Sequence, residues 1–118
     1  MKYLCLIYDD EKKVEAMSKA ETDAFFGEYF QFTEDVKQSG HLLGGEALQP
    51  VATATTIRVR NGKLSTTDGP FAETKEQLGG YYLIEAKDLN DALKVAAKIP
   101  SVRIGSVEVR PIMDFAAQ

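Results

Sequence analysis

A chain of 118 residues with 44% apolar and 27% charged side chains has the make-up of one globular domain, long enough to bury roughly two-thirds of its unfolded surface. A net charge of −4, with no basic run longer than two residues, excludes the positive field that a nucleic-acid backbone demands. One cysteine excludes an internal disulfide.

The opening apolar run, Tyr3 to Tyr8, is too short to cross a membrane and carries no signal-peptide cleavage pattern, so the expected location is the cytoplasm. Residues 2 to 9 read as a strand. Apolar side chains fill both alternating sets, Leu4, Leu6 and Tyr8 against Tyr3, Cys5 and Ile7, which predicts a central strand covered on both faces. Cys5 then sits mid-strand as a buried, inert thiol. Residues 9 to 13 read as a solvated connection. Ser18 and Glu21 have capping-box spacing, each side chain satisfying the other's free backbone N–H, so a helix is expected from there to Ser39 with Gly40 as its stop. Phe25, Tyr29, Phe32 and Val36, flanked by Phe26 and Phe30, give it a wide aromatic stripe that reads as core.

His41 to Leu48 reads as a short strand interrupted by Gly44-Gly45. Thr53 to Arg60 alternates, and Asn61-Gly62 turns it into a return strand at Lys63 to Thr67. A strand over Gly79 to Ala86 follows, then a helix capped by Asp88 and ended by Pro100. A last strand spans Ser106 to Ile112, and residues 114 to 118 read as a tail. Both helices fit on one face of one sheet, leaving the other face apolar and bare. The expected cover is a second copy of the same sheet, a homodimer with a ligand cavity between the sheets or at their mouths.

The densest chemistry lies in Asp68-Gly69-Pro70-Phe71-Ala72-Glu73-Thr74-Lys75-Glu76, followed by Leu78-Gly79-Gly80-Tyr81-Tyr82-Leu83-Ile84-Glu85. Ordinary hairpin loops do not need so many charged groups beside a rigid turn. This stretch, with Glu108-Val109-Arg110-Pro111 and residues 1 to 8, resembles the signature of the YCII-related proteins of the DGPF type, and the resemblance spans essentially the whole chain. It implies a ferredoxin-like α+β fold, βαββαβ with an added hairpin, assembled as a dimeric α/β barrel. Such barrels are shared by muconolactone isomerases, small monooxygenases and haem enzymes that consume dyes or chlorite. The resemblance also implies a gene neighbourhood shared with extracytoplasmic-function sigma factors. Some YCII relatives use an early histidine with an aspartate, one of them resembling a dehydrochlorinase of chlorinated hydroxyquinones. This chain has no histidine before Gly40, and Asp68 is only a loose counterpart of the aspartate.

Asp68 either caps its turn or handles a proton, while Gly69 and Pro70 stiffen the loop. Glu73, Lys75 and Glu76 are either solvated charges or groups directed at an anionic or hydroxylated ligand. His41, the sole imidazole, is a surface or capping group or else an acid/base partner of Asp68. It has no second histidine to complete a metal site, and no cofactor is expected. Glu108 and Arg110 share one side of the last strand, as an interface lock or as the polar end of a pocket. Tyr81 and Tyr82 point to opposite faces, so at most one lines a cavity, and Tyr82 is assigned to it. No phosphate-cradling or nucleophile-elbow motif is present.

Three functions follow. The first is a lyase or isomerase acting on a small organic acid or phenolic compound near the DGPF loop, with Asp68 and His41 catalytic and Glu73, Lys75, Tyr82, Glu108 and Arg110 binding. The second is a non-catalytic metabolite- or protein-binding module with a regulatory link to sigma factors. The third is a purely architectural motif.

Overall fold

In the computed structural model, which describes residues 1–117, the elements run β1 (Lys2–Asp9), α1 (Glu11–Glu15), α2 (Lys19–Gln38), β2 (Leu42–Ala47), β3 (Thr55–Arg60), β4 (Lys63–Asp68), β5 (Gln77–Glu85), α3 (Leu89–Ala96) and β6 (Ser106–Pro111). Four strands form an antiparallel sheet in the order β2-β5-β1-β6, and β3 and β4 pair only with each other. This is an α+β architecture, and its order is compatible with a ferredoxin-like fold.

β1 is central, as its two-sided apolar pattern predicts. Tyr3, Cys5 and Ile7 are buried under the helices beside Ile84, Phe32, Val36, Ala92, Val95 and Ile99. Burial lifts the Cys5 thiol to about 11, so it stays protonated. The opposite set forms an open face. There Leu4 stands between Leu83 and Arg110, and Leu6 between Tyr81 and Glu108.

Local chemistry sets the helix ends. Ser18 accepts from the Glu21 N–H at 3.1 Å and Glu21 accepts from the Ser18 N–H at 3.2 Å, a reciprocal cap starting α2. Asp88 accepts from the Asp91 N–H at 2.9 Å and starts α3. The stretch expected as a solvated connection instead contains α1, because Asp10 accepts from the Lys12 N–H at 3.1 Å and nucleates a turn. The aromatic stripe of α2 also divides. Phe32 and Val36 are core, whereas Phe26 and Phe30 remain 56% and 76% exposed.

The β3–β4 hairpin projects as an arm. Asn61 and Gly62 both have positive φ, 53° and 75°, the mirror-image turn that matches strand twist. Ile57, Val59 and Leu64 on this arm are at least 60% exposed. The arm helps make the molecule a slab of 49 × 47 × 18 Å with a radius of gyration of 16.4 Å, against about 13–14 Å for a compact chain of this length. Phe115–Ala117 forms a short 3-10 turn, and Gln118 of the expected tail lies outside the described residues. Among the described residues no helix is long and apolar enough to cross a membrane.

Candidate functional site

The DGPF turn is held from β3 rather than by its own aspartate. The Gly69 N–H donates to the Ala54 carbonyl at 2.7 Å, Thr56 Oγ1 donates to the Gly69 carbonyl at 2.8 Å, and Arg58 reaches the Phe71 carbonyl at 3.1 Å. Gly69 has φ 110°, a conformation strained for any other residue. Asp68 is exposed, and its carboxylate makes no hydrogen bond among the described residues. Glu73 and Lys75 are likewise exposed and outside any ion pair among those residues. Glu76 is half-buried and accepts from Ser106 Oγ at 2.7 Å. A hollow of about 490 Å³ lies beside the loop, between Pro70, Phe71 and Ala72 on one side and Tyr8, Leu48 and Leu78 on the other. Apart from the Tyr8 phenol, its lining carries no ionisable side chain.

The remaining expected residues are dispersed. His41 Nδ1 meets Ser39 Oγ at 2.7 Å and Nε2 meets the Asp91 carboxylate at 3.2 Å, fastening the end of α2 to the start of α3. A hydrogen bond from the Lys87 N–H, aided by His41, holds the Asp91 carboxyl below its usual range. Glu108 and Arg110 pair with each other on the open face. Tyr82 points to the helix side, where its hydroxyl meets Thr33 Oγ1 at 2.8 Å and its ring meets Phe32 edge-on. Asp68 and His41 thus sit on different elements with different neighbours.

A second hollow, about 590 Å³, opens between α2 and the helix side of the sheet. Phe25, Phe26, Tyr29 and Phe30 of α2 form one wall, and Tyr82 and Gly80 contribute from β5. Asp9, read from sequence as the start of a solvated connection, lies on this lining. The odd-numbered positions of β1 face the helices, so Asp9 follows Tyr3, Cys5 and Ile7 inward. The register slips between Ile7, opposite Gly80, and Tyr8, opposite Leu78, leaving Gly79 unpaired in a bulge. That bulge returns Gln77 to the Asp9 side.

Asp9 ends a chain of hydroxyls. Ser101 is fully buried and donates through Oγ to Asp9 Oδ2 at 3.0 Å, while its own oxygen lies 2.5 Å from the Tyr29 hydroxyl. The ionised carboxylate accepts only, so the chain runs Tyr29 to Ser101 to Asp9. Asp9 Oδ1 is buried without a partner among the described residues. A Cβ at Gly105 would lie 2.8 Å from that oxygen and 2.1 Å from the Tyr8 carbonyl, so only glycine fits behind it. Burial raises the Asp9 carboxyl above its ordinary range; the Ser101 bond opposes this and the charge of Glu76 adds to it. Burial likewise pushes the Tyr29 phenol up to about 12. No motif marks these residues in the sequence. The one available signal was the odd-position phase of β1, which carries Asp9 to the inner face.

The two hollows share Leu48, Pro50 and Gln77. Gln77 holds this partition: its Oε1 accepts from the Glu11 N–H at 2.9 Å and its Nε2 donates to the Thr74 carbonyl at 2.6 Å. Glu11 in turn accepts from the Val51 N–H at 3.0 Å.

A four-stranded antiparallel sheet with two helices on one face and an added arm is the setting in which similarity becomes informative. Residues 1–116 match the YCII-related domain, and the chain belongs to that family. It is also 38% identical over 114 residues to a protein of Rhizobium meliloti (strain 1021), "Uncharacterized protein R00369", a match covering 95% of this chain and 92% of that one.

Proposed function

We propose that this chain carries out acid–base chemistry, of the lyase or isomerase kind, on a small ring compound held between α2 and the sheet. Asp9 is the base, and Tyr29, coupled to it through Ser101, supplies or returns the proton. The observation that carries the reading is a carboxylate with a raised pKa, linked to a buried-side phenol, on the lining of an aromatic-walled hollow. The test is deuterium incorporation from D₂O into carbon acids of varied ring size, followed by NMR. The wild-type chain exchanges at least one of them, Asp9→Asn does not, and Tyr29→Phe is slower by about 10²-fold. The rate rises with pH around a midpoint above the roughly 3.9 of an ordinary aspartate. Exchange surviving in Asp9→Asn sinks the assignment.

A second reading is favoured by the DGPF-side hollow. Its uncharged walls suit a non-catalytic role holding an apolar metabolite or peptide, and the sigma-factor link implied by the DGPF-type resemblance belongs here. Protection of Phe71 by such a ligand, with no exchange chemistry anywhere, selects this reading.

Under either reading the working form is a homodimer, packed open face to open face in the manner of a dimeric α/β barrel. Support comes from Leu4, Leu6, Tyr81 and Leu83 on an uncovered face and from the apolar arm. Sedimentation equilibrium is expected to give twice the chain mass, and Leu6→Glu is expected to give a monomer.

A further inference from the structure

We propose that the hollow between α2 and the sheet selects a protonated aromatic amine, with its ammonium turned toward Asp9 and its ring against α2. This rests on the reading of that hollow as the ligand site. Every charged residue on its lining is acidic: Asp9, Glu11 and Glu15, with Glu46 at the β2 edge. No lysine, arginine or histidine borders it. An organic anion entering there meets only like charge, in a space where the walls displace part of the screening water. An ammonium meets the reverse.

The hydrogen-bond geometry leaves room for such a donor. Asp9 Oδ2 accepts one bond from Ser101 at 3.0 Å, and a carboxylate oxygen has a second lone pair to offer. Glu11 is committed to the Val51 N–H at 3.0 Å and contributes charge rather than a free arm. The apolar half of the ligand has its own partners. Phe26 and Phe30 are more than half exposed although they lie beside the core, and both border the hollow with Phe25. Aromatic faces attract cations as well as rings, so the same wall serves both ends of an arylalkylamine. A volume of about 590 Å³ holds one ring and a short chain. The inference departs from the organic acid expected from sequence, because the cations that expectation relied on, Lys75 and Arg110, lie outside this lining.

The experiment uses three probes on one ring, 2-phenylethylamine, 2-phenylethanol and phenylacetate, titrated into the full chain at neutral pH and low salt by calorimetry. The amine, protonated there, is expected to bind about tenfold tighter than the alcohol, with the carboxylate weakest. Added salt narrows the gap. Asp9→Asn brings the amine down to the alcohol, and Phe30→Ala weakens both together. Should Asp9→Asn fail to fold, Glu15→Gln, at an exposed position, is expected to shrink the amine's advantage about twofold through lost charge alone. Equal binding of amine and alcohol overturns the charge selectivity while leaving the hollow as a ligand site. Carboxylate binding as tight as the amine overturns it outright. Failure of all three to bind overturns both this inference and the reading beneath it.

Discussion

The two hollows lie on either side of one partition, and they distribute sequence motif and reactive chemistry in opposite ways. The DGPF side holds the most conspicuous residues of the chain, yet its walls are uncharged and its aspartate faces solvent. The helix side is built from an ordinary-looking strand end and an aromatic stripe, yet it holds the buried hydroxyl–carboxylate chain. A motif rich in charge and turn residues is evidence of a demanding backbone. Chemistry needs something else, a polar group withdrawn from water and left incompletely satisfied.

The contrast can be broken by substitution. The largest expected effect is Gly105→Ala, whose added methyl meets the Tyr8 carbonyl at 2.1 Å. Backbone cannot retreat as a side chain can, so a loss of about 3 kcal/mol in chemical denaturation is expected. Ser101→Ala comes next. It removes, at a fully buried position, the hydroxyl that bonds both Tyr29 and Asp9, at a cost of about 2 kcal/mol.

Asp9→Asn is expected to move stability the other way. The folded pKa of Asp9 lies above its unfolded value, so the wild-type chain is relatively most stable below about pH 3.9 and loses stability as pH rises through the folded pKa. Asparagine still accepts from Ser101 but carries no charge to bury. The variant therefore gains on the wild type from acid to neutral pH, as thermal melts across that range will register, while losing exchange activity. The smallest effect belongs to Asp68→Asn, within about 0.5 kcal/mol as for other exposed positions without partners. If exchange activity is lost in Asp68→Asn and kept in Asp9→Asn, the two sides have been ranked in the wrong order.

The fold was far more legible than this ranking. The central place of β1, the capping box of α2, the Asn61-Gly62 turn and the Asp88 cap each follow from local rules about period, orphan N–H groups and backbone handedness, whereas only one of the two apolar faces expected to be covered along β1 is buried within the chain. Their outcome differs from expectation by only a residue or two, except that α3 stops at Ala96, ahead of Pro100, and except at α1. There a run of charge concealed a helix, because solvation and helix formation are compatible when one side chain caps the turn. The site was harder to read for a different reason. Asp9, Ser101 and Tyr29 come from three distant parts of the chain, and none is unusual in its own neighbourhood. What joins them is the buried Ser101 hydroxyl, which bonds both Asp9 and Tyr29, and the absence of a Cβ at Gly105 behind Asp9. Both are tertiary contacts, which the order of residues along the chain does not display. His41 shows the converse: a rare residue type invited a catalytic role, and geometry gave it Ser39 and Asp91 as neighbours.

The amide of Gln77 bonds the Thr74 carbonyl with one end and the Glu11 N–H with the other. It works as a tie-rod. The motif loop is thereby tied, beside the β1–β5 pairing of Asp9 with Gln77, to the first turn of α1, which begins two residues after Asp9. Residues that never touch a ligand can in this way tune how widely the opposite chamber opens, and Gln77→Ala would cut this tie while leaving the strand pairing and the shared Leu48 and Pro50 in place.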